Sequence, residues 1–105
     1  MKVRVLGCSG GIGKNCHTTS YLLNANVLLD AGTGVGKLSL DEMTGIKHVL
    51  LTHAHLDHMA GLALMLGTIY EKALHSVTVH APQSVLNVLK THIFNWQLWP
   101  DFNQL

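Results

Sequence analysis

The residues best suited to chemistry form one short run, His53-Ala54-His55-Leu56-Asp57-His58, with three imidazoles and one carboxylate in six positions. Residues two apart in an extended chain point to the same side, so His53 and His55 can converge on one ion. If the chain then turns into a helix, Asp57 and His58 project from its first turn towards a second ion. Imidazole and carboxylate together suit Zn, Mn or Fe. The run therefore predicts a metal centre.

A structural role competes for one of these residues. Asp57 is also a good N-cap for the helix expected to follow it, and eight His in 105 residues raise the chance of a coincidence. A cap accounts for Asp57 alone and leaves the three histidines unexplained. Apolar runs on both sides, Val49–Leu51 and Met59–Leu66, provide the strand and helix that such a motif requires. We therefore favour the metal interpretation.

Hydrophobic periodicity predicts the elements that position this run. Predicted strands cover Val3–Leu6, Thr18–Leu23, Val27–Asp30, Lys47–Thr52 and Val77–His80. Predicted helices cover Leu38–Met43, Asp57–Lys72 and a last segment with Pro82 in its first turn and Val85, Leu86, Leu89 and Ile93 on its core face. The strands come first as hairpins and then alternate with helices, which is typical of one half of a layered α/β sandwich.

A glycine-rich loop, residues 7–14, invites a phosphate-binding interpretation. Its spacing fits neither a P-loop nor the G-x-G-x-x-G pattern, so we expect a sharp connection that needs positive φ and that can still line a site. Cys8 and Cys16 lie in and beside this loop. In a His-rich chain without secretory features they are better interpreted as free thiols than as a disulfide.

The HxHxDH run resembles the signature of the metallo-β-lactamase fold superfamily. The fuller stretch HAHLDHMAGL at 53–62 resembles class II cyclic-nucleotide phosphodiesterases, as do Thr91–Asn95 and the following Trp99-Pro100-Asp101. Residues 5–11 and the turn at 29–32 are similar to the same family and to its relative, the tRNA 3′-processing endonuclease Z. The resemblance implies an α/β fold, the metallo-β-lactamase-like αββα sandwich (an α+β sandwich). Residues 1–105 would form its N-terminal half as a single segment.

The resemblance also implies a chemistry. Two metal ions, zinc by preference with Mn or Fe as alternatives, would hold a bridging hydroxide that opens a 3′,5′-cyclic phosphate and expels the ribose 3′ oxygen. His53 and His55 would bind the first ion and Asp57 and His58 the second, with Asp57 as the catalytic residue. Asp30 has two open interpretations: its carboxylate orients a ligand from behind the metal run, or it caps the turn with Gly32.

Three family ligands have no obvious counterpart: a third His for the first ion, a bridging Asp and a last His for the second ion. Three possible substitutes lack the expected context of a loop after a later strand: His75, His80 and His92. Asp101 belongs to the Trp-Pro-Asp tail and suits the bridging role poorly, and His17, beside the glycine-rich loop, can approach the site but is more often a polar loop residue. Four ligands shared between two ions leave both under-coordinated. Either the chain is a fragment of a longer enzyme, or something else completes the site.

The amino-acid composition indicates which kinds of binding partner to expect. Charged residues make up 12% of the chain, about half the usual quarter, so several faces are expected to be covered, by a homo-oligomer or by a missing C-terminal half. The seven Lys and Arg residues are scattered, which argues against nucleic acid as a partner. No signal peptide or bilayer-spanning apolar run is evident, so we expect a cytoplasmic protein without a membrane partner.

Three hypotheses about function follow. The first is a metal-dependent phosphodiester hydrolase of the 3′,5′-cyclic-nucleotide phosphodiesterase type, with a small cyclic nucleotide as its partner. The second keeps the fold and exchanges the substrate for RNA, as in endonuclease Z. The third is a catalytically silent half-domain that associates with itself, and the low charge motivates it.

Overall fold

The structure, a computed structural model, describes residues 1–73 and 77–102. Five strands lie side by side in chain order in one sheet. They are β1 Val3–Gly7, β2 Ser20–Leu23, β3 Val27–Leu29, β4 His48–Leu50 and β5 Thr78–His80. Strand β2 runs antiparallel to both of its neighbours, β1 and β3, whereas β3, β4 and β5 are parallel. The hairpins followed by parallel crossovers are the order that the sequence predicts.

In the described ranges, three α-helices accompany the sheet: α1 Leu40–Thr44, α2 Leu56–Ala73 and α3 Gln83–Val88. The predicted helix over 57–72 is confirmed to within one residue at each end. The last predicted helix is formed without a break, because α3 continues directly into a wider π-helical turn, Leu89–Ile93. There the Phe94 amide donates to the Leu89 carbonyl at 2.8 Å. Within the described ranges, no helix combines the length and the apolar character needed to cross a bilayer.

The core lies between one face of the sheet and the inner side of α2. Leu22, Leu28 and Val49 are aligned across three neighbouring strands and are buried. The helix adds Leu62 and Met65, spaced to share one face. The buried apolar cluster comprises Leu6, Leu22, Leu28, Ala31, Val35, Leu38, Ile46, Val49, Leu51, Met59, Leu62, Met65, Leu66, Val85 and Leu89. Packing α2 on the sheet in this way brings the first turn of α2 to the end of β4.

The opposite sheet face is far less protected. Val3 and Val5 of β1 are 56% and 52% exposed, and His48 and His80 are exposed on β4 and β5. Leu29 on β3 is half-buried. The described residues therefore leave an apolar sheet face open, as the low charge of the chain predicts.

Helix α1 is stabilised by a capping box at its N-terminus and by an ion pair with β1. The Ser39 hydroxyl accepts a hydrogen bond from the Glu42 amide, and the Glu42 carboxylate accepts one from the Ser39 amide. Arg4 of β1 reaches the same carboxylate at 2.7 Å. The Ser39 backbone N–H first, and then Arg4, lower the pKa of Glu42 below its usual value. These contacts hold α1, which precedes β4 in the sequence, against β1.

The glycine-rich loop has the local geometry expected of a sharp connection. Gly13 has φ of 150° and Asn15 has φ of 63°, and the Cys16 amide donates to the Gly13 carbonyl at 3.0 Å. Cys8 and Cys16 are exposed free thiols, so the prediction that they are not joined is confirmed.

Candidate metal centre

The metal run occupies the connection from β4 into α2. His53, Asp57 and His58 each offer one donor atom to a group in which all donors lie within 4.8 Å of one another, and all three residues are half-buried. The rings of His53 and His58 are 4.0 Å apart between centroids. Two imidazoles and a carboxylate are the donor set that zinc, and also Mn or Fe, accepts from proteins. The residues present therefore fit a divalent transition metal.

His55 lies at the edge of this group. Its ring is 4.8 Å from that of His53, in an edge-to-face arrangement, but it is exposed and does not contribute to the three-donor cluster. The predicted division into two pairs, one per ion, is therefore not visible in the described residues. His53 lies nearer to His58 than to His55.

Asp57 lies inside the first turn of α2, since the helix begins at Leu56. The N-cap alternative considered for Asp57 therefore does not match its position. Its carboxylate oxygen is 3.4 Å from Nε2 of His58. A carboxylate in the first turn is also favourable for the helix dipole, so this position serves the helix and the donor group together.

Asp30 lies directly behind the run, where it is 3% exposed. Its carboxylate accepts hydrogen bonds from the Thr52 amide at 2.8 Å and from the Thr52 hydroxyl at 2.9 and 3.1 Å. Nδ1 of His58 lies 2.8 Å from the same carboxylate. With Nδ1 held by a carboxylate, Nε2 of His58 is left with its lone pair free for a metal. This arrangement favours the orienting interpretation of Asp30 over the turn-capping one.

Thr52 extends this support to the first histidine of the run, and the sequence alone did not identify it. Its hydroxyl lies 2.9 Å from Nδ1 of His53. The single hydroxyl proton goes to Asp30, so the hydroxyl accepts the Nδ1 proton of His53. Nε2 of His53 is then the free nitrogen, as in His58. A threonine immediately before the first histidine is the only signal in the sequence for this role.

Close backbone packing fixes α2 against the Asp30 turn. The Ala31 amide donates to the His58 carbonyl at 2.7 Å, and the Gly61 amide donates to the Ala31 carbonyl at 2.9 Å. A Cβ at Gly61 would collide with the Gly32 carbonyl, and a Cβ at Gly32 would collide with the Asp57 carbonyl. The two glycines therefore permit the approach that brings His58 to Asp30.

The substitute ligands considered from sequence do not join the cluster in the part of the chain that the structure describes. His17 is half-buried beside the glycine-rich loop, His92 is exposed in the π turn, and Asp101 is half-buried in the C-terminal tail. His80 is instead paired with His48. His75 lies outside the described residues.

Comparison with known proteins places this geometry in a family. The family model of class-II cAMP phosphodiesterases matches residues 14–105. The chain belongs to this family. The resemblance predicted from the HAHLDHMAGL and Thr91–Asn95 stretches is therefore confirmed, and the family is one of hydrolases that act on phosphodiesters.

The individual relatives include two cyclic-nucleotide phosphodiesterases and one ribonuclease Z. The 3′,5′-cyclic-nucleotide phosphodiesterase of Aliivibrio fischeri is 28% identical over an alignment of 125 positions, which covers 92% of this chain and 36% of that protein. The 3′,5′-cyclic-nucleotide phosphodiesterase 1 of Saccharomyces cerevisiae is 35% identical over 66 residues, covering 62% of this chain and 18% of that protein. A ribonuclease Z of Clostridium beijerinckii is 30% identical over 104 residues, covering 90% and 34%.

Among solved structures, unliganded yeast PDE1 superposes with a TM-score of 0.71 at 20% identity. It is matched over 94% of this chain and 46% of its own. The likeness confirms the predicted metallo-β-lactamase fold. The chain thus spans less than half of that structure and about a third or less of the curated relatives described above.

Proposed function

We propose that this chain carries the first part of the metal centre of a 3′,5′-cyclic-nucleotide phosphodiesterase. The observation that supports this most strongly is the His53, Asp57 and His58 donor group with Asp30 behind it, in a chain of the class-II family. In this proposal residues 1–105 form the N-terminal half of one metallo-β-lactamase-like domain, and further ligands come from the rest of that domain.

Each residue has a distinct task in the proposed centre. A divalent ion there would supply a nucleophile from water at neutral pH and would offset charge on the phosphate. His53 and His58 present Nε2 as donors because Thr52 and Asp30 hold their Nδ1 atoms. Asp57 adds the negative charge, and His55, whose ring lies 4.8 Å from that of His53, would contribute to a second site. Zinc is the proposed metal, with Mn or Fe as alternatives for the same donors.

The proposed reaction is a hydrolysis that balances in atoms. Water adds to the cyclic phosphate, the bond between phosphorus and the ribose 3′ oxygen breaks, and that oxygen leaves with a proton as the 3′ hydroxyl. The product is a nucleoside 5′-monophosphate. Asp57 is the proposed catalytic residue because its carboxylate lies at the donor group and faces Nε2 of His58.

A chimera tests this proposal at the level of substrate. Residues 1–105 replace the matching segment of the Aliivibrio fischeri relative, and turnover of cyclic AMP and cyclic GMP is measured with and without chelator. We expect metal-dependent turnover that His58→Ala reduces at least a hundredfold and that Glu71→Ala, at an exposed position of α2, leaves within twofold. A chimera that folds and binds zinc but turns over neither nucleotide would contradict the proposal.

RNA is the second candidate substrate, because the match to the ribonuclease Z covers 90% of the chain. The same chimera, supplied with a precursor tRNA, distinguishes the two. Cleavage of the tRNA without cyclic-nucleotide turnover would transfer the proposal to the endonuclease branch. The scattered lysines of this chain make us expect the opposite result.

A further inference from the structure

A second pair of histidines, which does not belong to the metal run, lies on the open sheet face. The parallel register pairs His48 with Thr78 and Leu50 with His80, so both imidazoles project from the same face of neighbouring strands. Nδ1 of His48 and Nε2 of His80 are 3.0 Å apart, and both residues are exposed. His48 begins β4, at the opposite end of that strand from the metal run, whereas His80 ends β5 opposite Leu50, at the end that the run follows.

The ring geometry shows that the two imidazoles turn nitrogen atoms towards each other. Their centroids are 5.2 Å apart and their planes are inclined by 39°, while the facing nitrogens are separated by only 3.0 Å. In neutral rings one of these nitrogens carries the proton and the other accepts it. The pair is thus held together by a single shared proton, and a cation that binds both lone pairs can replace this proton.

We propose that His48 and His80 form a second transition-metal site, independent of the metal run and not assigned by the family match. Zinc–nitrogen bonds are about 2.0–2.1 Å long, so nitrogens 3.0 Å apart would give an N–Zn–N angle of roughly 95°. If the distance between the two nitrogens increased by about 0.3–0.4 Å, this angle would become tetrahedral. Exposed rings have room for this small rotation, since the histidine χ2 torsion is broad.

The residues around His48 and His80 determine which metal ions such a site would bind. The positions paired with the two histidines are Val27, Leu50 and Thr78, and these contribute one hydroxyl and no charge. Two neutral imidazoles select borderline divalent ions such as Zn²⁺, Ni²⁺ and Cu²⁺ over Mg²⁺ and Ca²⁺. The remaining coordination positions lie on the open sheet face, so water, or a side chain of the surface that covers this face, fills them.

Zinc titration by calorimetry tests this site in a background that removes the competing ligands. In this background the four donors of the run are replaced (His53→Ala, His55→Ala, Asp57→Ala and His58→Ala), and Cys8→Ser and Cys16→Ser remove the thiols. We expect one zinc ion per chain. His48→Gln and His80→Gln, which keep a polar side chain, should each weaken its binding at least tenfold. His92→Gln, at a lone exposed histidine, should change binding less than twofold.

Two results would overturn the proposal. One is zinc affinity that neither glutamine variant changes; the other is no zinc binding in a background whose circular dichroism spectrum is that of the parent.

In the parent chain, imidazole ¹⁵N NMR resonances provide a readout that needs no variant. We expect the Nδ1 resonance of His48 and the Nε2 resonance of His80 to shift on addition of zinc, and unshifted resonances at saturating zinc would also overturn the proposal.

Discussion

Asp30 is the residue on which the geometry of the candidate centre most depends. Its backbone has φ of 58°, a left-handed conformation that aspartate tolerates better than most residues. In this conformation its amide still donates to the Leu50 carbonyl at 2.7 Å, while its side chain serves Thr52 and His58. One buried carboxylate thus orients both histidines of the donor group, one directly and one through a hydroxyl.

Replacing this carboxylate by an amide should weaken metal binding. Asp30→Asn keeps the volume but removes the negative charge that holds the Nδ1 proton of His58, and loss of such a partner typically costs about 10–100-fold in metal affinity. We expect zinc affinity, measured by calorimetry in a His80→Ala background, to fall by at least tenfold. Asp41→Asn, at an exposed position of α1, is the matched control, and equal affinities in both variants would contradict the role of Asp30.

The Thr52 hydroxyl should show the same dependence. Thr52→Val removes the hydroxyl with little change of shape, so His53 loses the acceptor for its Nδ1 proton, whereas Thr52→Ser retains it. In the same titration we expect the valine variant to bind zinc about tenfold more weakly and the serine variant to remain close to the parent. A serine variant as weak as the valine variant would show that the methyl group, and not the hydroxyl, matters.

At the scale of elements, the contact between α2 and the Asp30 turn is the critical interface. Gly61 would rank as a poor helix residue by propensity alone, and alanine there should gain about 1 kcal/mol of helix stability. The structure predicts the reverse, because a Cβ at Gly61 meets the Gly32 carbonyl and the Val35 side chain. Moving α2 away to relieve this collision would also separate His58 from Asp30.

We therefore expect Gly61→Ala to destabilise the fold by about 1–3 kcal/mol, the usual cost of overpacking, and to weaken zinc binding as well. Gly36→Ala is the control, since a Cβ at Gly36 meets nothing within 4 Å. Urea unfolding followed by circular dichroism measures the free energies of unfolding. A Gly61→Ala protein at least as stable as the parent would mean that the helix and the turn are not in close contact.

Prediction from sequence succeeded where periodicity carries the information. The strands around Leu22, Leu28 and Val49 and the long helix α2 follow from alternating and 3.6-residue patterns, and the HxHxDH run locates the donor group. The pairing of His48 with His80 depends on the register of β4 and β5, and the role of Thr52 depends on side-chain rotamers. Neither register nor rotamers leave a periodic signal, so these features required coordinates.

At the scale of the whole molecule, the open sheet face is a surface that the described residues leave uncovered. Val3 and Val5 are more than half exposed, and the chain has only 12% charged residues. Exposed apolar patches of this kind mark an interaction surface or an aggregation risk. Self-association about a two-fold axis would bury the same face of both copies.

Light scattering of the isolated chain should therefore show a dimer or a larger species at tens of micromolar. Val5→Lys should shift the mass towards the monomer, because a charge on this face opposes its burial. Val88→Lys, at a valine of α3 that is 38% exposed, should leave the mass unchanged.

The same sample should show background turnover of cyclic nucleotides, because the three clustered donors of the described residues cannot close two metal sites. A monomeric parent with turnover that His53→Ala abolishes would contradict both expectations.

The most direct test of the metal centre is anomalous diffraction at the zinc edge from crystals of the zinc-loaded protein. We predict a peak bounded by Nε2 of His53, Nε2 of His58 and a carboxylate oxygen of Asp57, at about 2.0–2.2 Å from each. Asp30 should remain hydrogen-bonded to Nδ1 of His58. Zinc density found only elsewhere on the chain, with these three side chains directed away from one another, would contradict the assignment.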